Sequence, residues 1–200
     1  MINVNYGHQI GLCYVKDNFA YVPVHKNAST WAIKYLTCLN EWKETNLSHV
    51  SDNCTFLVIL RHDIINRWVS GMCEVLMQND NPTLIDDVRV VDQIFEKITF
   101  ECHTDTQTRL LSTIPQSQTI YFDLASTFSS NFIKHMRENY LHDTNCVPDN
   151  SYINASSMFE HKQHIIKKLT EYALTPKYNA KLKAHFSKDY ELIDKVTYYS

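Results

Sequence analysis

Glycine is almost missing from this chain: 200 residues hold three, Gly7, Gly11 and Gly71. A Gly-x-x-x-x-Gly-Lys-Ser/Thr loop needs glycine where the backbone wraps a phosphate, so an ordinary ATP or GTP loop matches poorly and a nucleotide kinase ranks last. Also missing is any Cys-x-x-Cys pair among Cys13, Cys38, Cys54, Cys73, Cys102 and Cys146. Structural zinc draws on closely spaced ligand pairs, so reduced, partly buried thiols are the expectation. No stretch approaches the ~18 consecutive apolar residues of a membrane span, and Met1-Ile-Asn-Val-Asn-Tyr-Gly-His8 lacks the basic start of a secretory signal. The chain therefore reads as soluble, without a membrane partner, and cytoplasmic. Positive charge is not in surplus: 19 Lys and Arg stand against 22 Asp and Glu, a net charge of −3, with a sequence pI near 6.3. That leaves no global field to recruit nucleic acid, and any anion site must be local.

What is present begins with Phe19-Ala-Tyr-Val-Pro-Val-His-Lys-Asn-Ala-Ser-Thr-Trp31. An apolar strand breaks into Lys26, small residues and two hydroxyls before a helix starts. A strand that turns tightly into a helix aims free backbone N–H groups and a positive dipole end at one point, and Lys26 adds a full charge there. The expected guest is a phosphate. The same residues also fit a plain helix N-cap beside a solvated lysine.

With 44% apolar residues, 200 residues suffice for one core, so a single domain over 1–200 is expected. The turn-rich Lys16-Asp-Asn18 between Cys13–Val15 and Phe19–Val24 reads as a hairpin. Thr55-Phe-Leu-Val-Ile-Leu60 is a continuous apolar run, suited to a strand buried on both faces, and Thr119–Phe122 follows as a second central strand. Helical spacing appears at 30–39 and at about 64–79, 88–101, 126–140, 159–173 and 177–187. Strands alternating with helices predict an α/β fold with a mainly parallel central sheet flanked by helices, ligands lying beyond the strand carboxyl ends.

Directly after the buried run comes Leu60-Arg-His-Asp-Ile-Ile-Asn-Arg-Trp-Val-Ser-Gly71. Arg61 leaves the strand end, while Arg67 and Ser70 lie three apart and share a helix face. Fork-shaped donors with a hydroxyl suit a phosphate monoester. Asp63 and Asp123 read as helix caps or loop hydrogen-bonders. His161 and His164 are three apart on a helix but lack a third ligand, so a solvated face is the better reading than a metal site.

Together these segments resemble the sulfotransferases that use 3′-phosphoadenosine 5′-phosphosulfate (PAPS), especially the carbohydrate-directed Golgi-type enzymes. Pro23–Trp31 resembles their 5′-phosphosulfate loop and Arg61–Ser70 their 3′-phosphate motif, though no Pro follows Asp63. His103-Thr-Asp-Thr-Gln107, Tyr121–Leu124, Val147–Ser156 and Phe186–Leu192 resemble later family segments in the right order. The resemblance implies a P-loop-like sulfotransferase fold and transfer of a sulfuryl group from PAPS to a hydroxyl or amine of a carbohydrate or small acceptor, with no metal required. It implies cofactor contacts from Lys26, Asn27, Ala28, Ser29, Thr30, Trp31, Arg61, Arg67 and Ser70, with Lys26 on the leaving phosphate.

A neutral histidine is the natural acceptor base. His49, between the two motifs where related enzymes carry a catalytic His or Glu, stands first and also fits a surface loop. His103 stands second and fits a structural role better. Acceptor specificity is expected in 40–54, 79–90 and 142–158, with a partner subunit of a homo-oligomer completing the pocket of so short a chain. The competing class is a non-catalytic module that binds PAPS or adenosine 3′,5′-bisphosphate. Four Asn-x-Ser/Thr sequons occur, at Asn27, Asn46, Asn53 and Asn154, and a glycan on Asn27 would block the loop, which argues against a glycosylating compartment.

Overall fold

The computed structural model describes residues 11–39, 42–78, 82–125, 128–140 and 160–199. It is an α/β fold with a five-stranded mixed sheet and flanking helices, and its contacts gather into two compact units.

The first unit, within 10–62, 111–153 and 195–200, holds the sheet. β1 (Leu12–Lys16) and β2 (Phe19–Tyr21) form the expected hairpin, with Lys16 opposite Phe19 and Asp17 left-handed at φ 51° in the turn. α1 (Ser29–Cys38) follows, then β3 (Lys43–Asn46), which pairs antiparallel with β1 at one edge. β4 (Thr55–Leu60) runs parallel to β2 and to β5 (Thr119–Asp123), giving the order β3-β1-β2-β4-β5. The sheet is thus mixed, with two parallel and two antiparallel pairings, where the sequence predicts a mainly parallel one. The difference is β3, whose Lys-Glu-Thr-Asn carries no apolar residue and belongs to an exposed edge.

β4 is buried from Phe56 to Leu60, as a strand covered on both faces should be. On one face Leu57 and Ile59, with Tyr21 and Phe122, meet Trp31, Ala32, Tyr35 and Leu36 of α1 and Phe132 and Met136 of α5 (Phe128–Tyr140). Cys13, Cys54, Cys73 and Cys102 are buried thiols outside any disulfide, whereas Cys38 at the end of α1 is disulfide-bonded. That corrects the expectation of reduced thiols throughout.

The second unit, whose described residues fall within 63–110 and 160–194, is helical. α2 (Ile64–Met77), α3 (Val88–Lys97), α6 (Glu160–Ala173), α7 (Pro176–His185) and α8 (Ser187–Lys195) share a core built on Trp68, Met72, Phe95, Leu169, Leu182 and Phe186, and a short α4 (Gln107–Leu110) lies among them. α2 starts where Asp63 caps it, its carboxylate accepting from the Asn66 backbone N–H at 3.1 Å. α3 stops four residues short of the expected 101 because Ile98 turns left-handed at φ 57°. No helix among the described residues is long and apolar enough to cross a membrane.

Candidate functional site

β2, β4 and β5 are parallel, and β3 points the same way because it is antiparallel to β1. All four carboxyl ends therefore meet one edge of the sheet.

At that edge the chain leaves β2, turns through 25–28 and enters α1. Two positions of the turn are left-handed without being glycine: Lys26 at φ 66° and Ala28 at φ 56°. Non-glycine residues are held there only when their surroundings dictate it, at about 1–3 kcal/mol each. Left-handed residues inside a turn swing successive N–H groups to one side, the concavity that binds anions in phosphate loops. Among the described residues no side chain caps the N-terminus of α1. Ala28 caps it without a side-chain hydrogen bond, and no acidic residue sits in the first turn. Its dipole is therefore uncompensated from within the helix.

What dictates the turn is Asn27. Its side chain is completely buried and its Nδ2 donates to the Ile59 carbonyl at 2.8 Å, fastening the loop over the end of β4, while its backbone N–H closes the turn on Val24 O at 3.1 Å. Asn27 is thus the loop's anchor, and its burial leaves no room for a glycan. Trp31 turns inward as well, stacked on Tyr35 with ring centroids 5.6 Å apart and edge-on to Phe132. It packs the loop helix onto the sheet. Lys26, Ala28 and Ser29 are half-buried and Thr30 is exposed, so these face the edge.

Arg61, half-buried, follows the last residue of β4 at the same edge. His62 comes next. Its Nε2 lies 3.4 Å from Asp123 Oδ1 at the end of β5, and its ring sits 5.1 Å from that of Tyr198. The β4–β5 register, with Leu60 opposite Asp123 and Leu124 N–H donating to Leu60 O at 2.9 Å, brings the pair together. His49 ends the 3₁₀ turn Leu47–His49 after β3, exposed at the same edge but two strands from β2. At the usual 4.7–4.9 Å strand spacing that is a lateral offset of roughly 10 Å.

The helical unit carries the other expected site residues. Arg67 is fully buried, and its Nη1 donates to the Asp105 carbonyl at 2.6 Å. Ser70, half-buried on α2, is followed by Gly71, where an added Cβ would lie 2.0 Å from the His103 carbonyl oxygen. Glycine thus lets the 101–105 segment cross α2 in contact. His103 is buried with Nδ1 2.6 Å from Glu101 Oε1. Thr104 Oγ1 accepts from Phe100 N–H and Glu101 N–H, and buried Asp189 of α8 accepts from Gln107 N–H, Thr108 N–H and the Thr108 hydroxyl. Two late family-like segments therefore meet as a cap: the Asp189 carboxylate closes the start of α4.

The structure thus gathers the Lys26 loop, Arg61 and His49 at one sheet edge and places Arg67, Ser70 and His103 in the other unit. His62 and Asp123 are the pair that sequence reasoning did not join. The one signal in the sequence was His62 beside Arg61 at the end of a buried strand. The segment 147–156, and with it the expected acceptor loop 142–158, lies outside the described residues. Among the described residues no group of three or more His, Cys, Asp or Glu could hold a metal, and His164 pairs with Asp86 at 3.1 Å. Comparison of the chain with protein-family models, with curated proteins and with solved structures finds no match.

Proposed function

We propose that the chain is a sulfotransferase that moves the sulfuryl group of PAPS to a hydroxyl or amine of a carbohydrate or other small acceptor. The observation that carries this reading is the strand–loop–helix at β2–α1: Lys26 and Ala28 left-handed, Asn27 tied to Ile59, and the helix start uncapped by any side chain, with Arg61 leaving the neighbouring strand at the same edge. Loop N–H groups with Ser29 and Thr30 hold the 5′-phosphate. Lys26 neutralises charge on the oxygen that departs from sulfur. Arg67, whose Nη1 donates to the Asp105 carbonyl, belongs to the other unit, and in the sheet unit Arg61 is the residue assigned to the 3′-phosphate. Sulfuryl transfer, like phosphoryl transfer, spreads charge over equatorial and leaving oxygens, so positioned cations and amides supply most of the rate.

The test is thermal shift followed by transfer. Adenosine 3′,5′-bisphosphate is expected to stabilise the protein more than AMP, by about 2.7 kcal/mol at ~100 times its dissociation constant. Lys26→Ala is expected to lower sulfate transfer from labelled PAPS to a panel of oligosaccharides by ~100-fold or more. Equal stabilisation by the two nucleotides refutes the 3′-phosphate site. Tight PAPS binding without transfer to any acceptor leaves the non-catalytic binding module.

A further inference from the structure

We propose that His62, oriented by Asp123, is the base that takes the acceptor's proton; this rests on the sulfuryl-transfer reading above. Three observations converge on it. His62 follows β4, one strand from β2, and the Asn27–Ile59 hydrogen bond lays the loop over the end of β4 itself. The backbone of His62 thus leaves a strand adjacent to β2, whereas His49 stands beyond β1, and the His62 ring turns toward the end of β5. The imidazole is half exposed, with a side-chain accessibility of 51%, so an acceptor arriving from solvent can reach it, whereas His103 and His135 are buried.

Third, His62 has an orienting carboxylate. Asp123 Oδ1 lies 3.4 Å from Nε2, and we accordingly put the proton of the neutral ring on Nε2 and leave the Nδ1 lone pair for the acceptor. Tyr198 flanks the ring, Arg61 and Asp63 precede and follow it in the chain, and the Asp63 carboxylate is occupied with the α2 cap. A histidine–carboxylate pair on the carboxyl ends of two adjacent parallel strands has no part in the core. Both members are more than a third exposed, so as a surface ion pair it adds little stability.

The step balances without a further reactant. As the acceptor oxygen bonds to sulfur, its O–H bond breaks and the proton passes to His62 Nδ1. The bond from sulfur to the bridging oxygen breaks, and its electron pair stays on the 5′-phosphate of adenosine 3′,5′-bisphosphate beside Lys26. The imidazolium then gives its proton to water. Asp123 is the positioning residue.

The experiment uses the full chain and PAPS alone, with water as acceptor, and follows release of adenosine 3′,5′-bisphosphate beside its binding by calorimetry. His62→Ala is expected to slow release by about 100- to 10,000-fold while nucleotide affinity stays within about threefold, and added imidazole is expected to restore part of the rate. Asp123→Asn is expected to lower kcat with KM for PAPS unchanged, and to add little in the His62→Ala background. Release from His62→Ala at the wild-type rate overturns the proposal, as does a collapse confined to His49→Ala. Additive losses for His62→Ala and Asp123→Asn remove Asp123 from the role. Wild-type protein that neither binds the nucleotide nor consumes PAPS overturns the sulfuryl-transfer reading itself, and that result differs from an active wild type indifferent to His62.

Discussion

Replacing Gly71 with alanine measures how tightly α2 and the segment carrying His103 are locked. The new Cβ would stand 2.0 Å from the His103 carbonyl oxygen and 2.7 Å from its carbon, where ordinary contact begins at 3.4 Å. The carbonyl must therefore retreat by 3.4 less 2.0, about 1.4 Å. It cannot do so alone, because Arg67 grips the Asp105 carbonyl at 2.6 Å and Thr104 Oγ1 holds Phe100 N–H at 2.8 Å. Alanine gains about 1 kcal/mol of helix propensity. Against that stand about 1–3 kcal/mol of overpacking and about 1.5–3 kcal/mol if the Arg67 hydrogen bond stretches out of range. The net expectation is a destabilisation of about 2–4 kcal/mol. For a chain of this size that lowers the melting midpoint by roughly 5–15 °C, read by scanning calorimetry. An unchanged or raised midpoint, the signature of propensity alone, refutes the close crossing.

Asp189→Ala is expected to cost about 3 kcal/mol or more in urea unfolding, because it strands the buried Gln107 N–H together with the half-buried Thr108 N–H and hydroxyl, and Asp189→Asn is expected to cost less; a loss under ~1 kcal/mol for the alanine variant refutes the cap. Burial between Phe122 and Tyr199 holds the His135 ring below the usual histidine range, against the opposing pull of Glu138. The unfolded chain then takes the proton first, so stability is full above pH ~6.5 and is lost as pH falls through that value toward the lower folded one. The melting midpoint of the wild type is accordingly expected to drop more between pH 7 and 5 than that of His135→Gln, and parallel curves refute the assignment.

Much of the fold was legible because burial writes itself as pattern. β4 is a continuous apolar run and Lys16-Asp17-Asn18 marks a two-residue turn, but Thr119–Phe122, expected as a second central strand, lies in β5 at the outer end of the sheet order, where Thr119, Ile120 and Asp123 are only half-buried. β3 was not legible, since Lys-Glu-Thr-Asn becomes a strand only by pairing with β1. The expected helices ending at 101 and 187 stop early, at Lys97 where Ile98 turns left-handed and at His185, beyond which α8 starts afresh at Ser187. At the site, the change from apolar strand to Lys26 and hydroxyls was readable. The left-handed turn was not, because it is imposed on Lys26 and Ala28 by the Asn27–Ile59 tie. Arg67 and Ser70 have the spacing of neighbours, but whether Arg67 faces a ligand or the interior was decided by Asp105, 38 residues away. His62 and Asp123 stand far apart in the chain and meet only through strand register, which no local pattern announces.

The Asn27–Ile59 hydrogen bond also sets an order of events in folding. It joins residues 32 apart and can form only once β4 lies beside β2. The helix that follows the loop can nucleate on local contacts within microseconds, but the turn in front of it takes its left-handed form only after that parallel pairing is complete. The anion proposed for the turn would therefore stabilise the native state without helping the chain to reach it. Its kinetic signature is a slower unfolding limb with the refolding limb unchanged, and in an unfolding protein the turn should let go of its guest as soon as the end of β4 peels away.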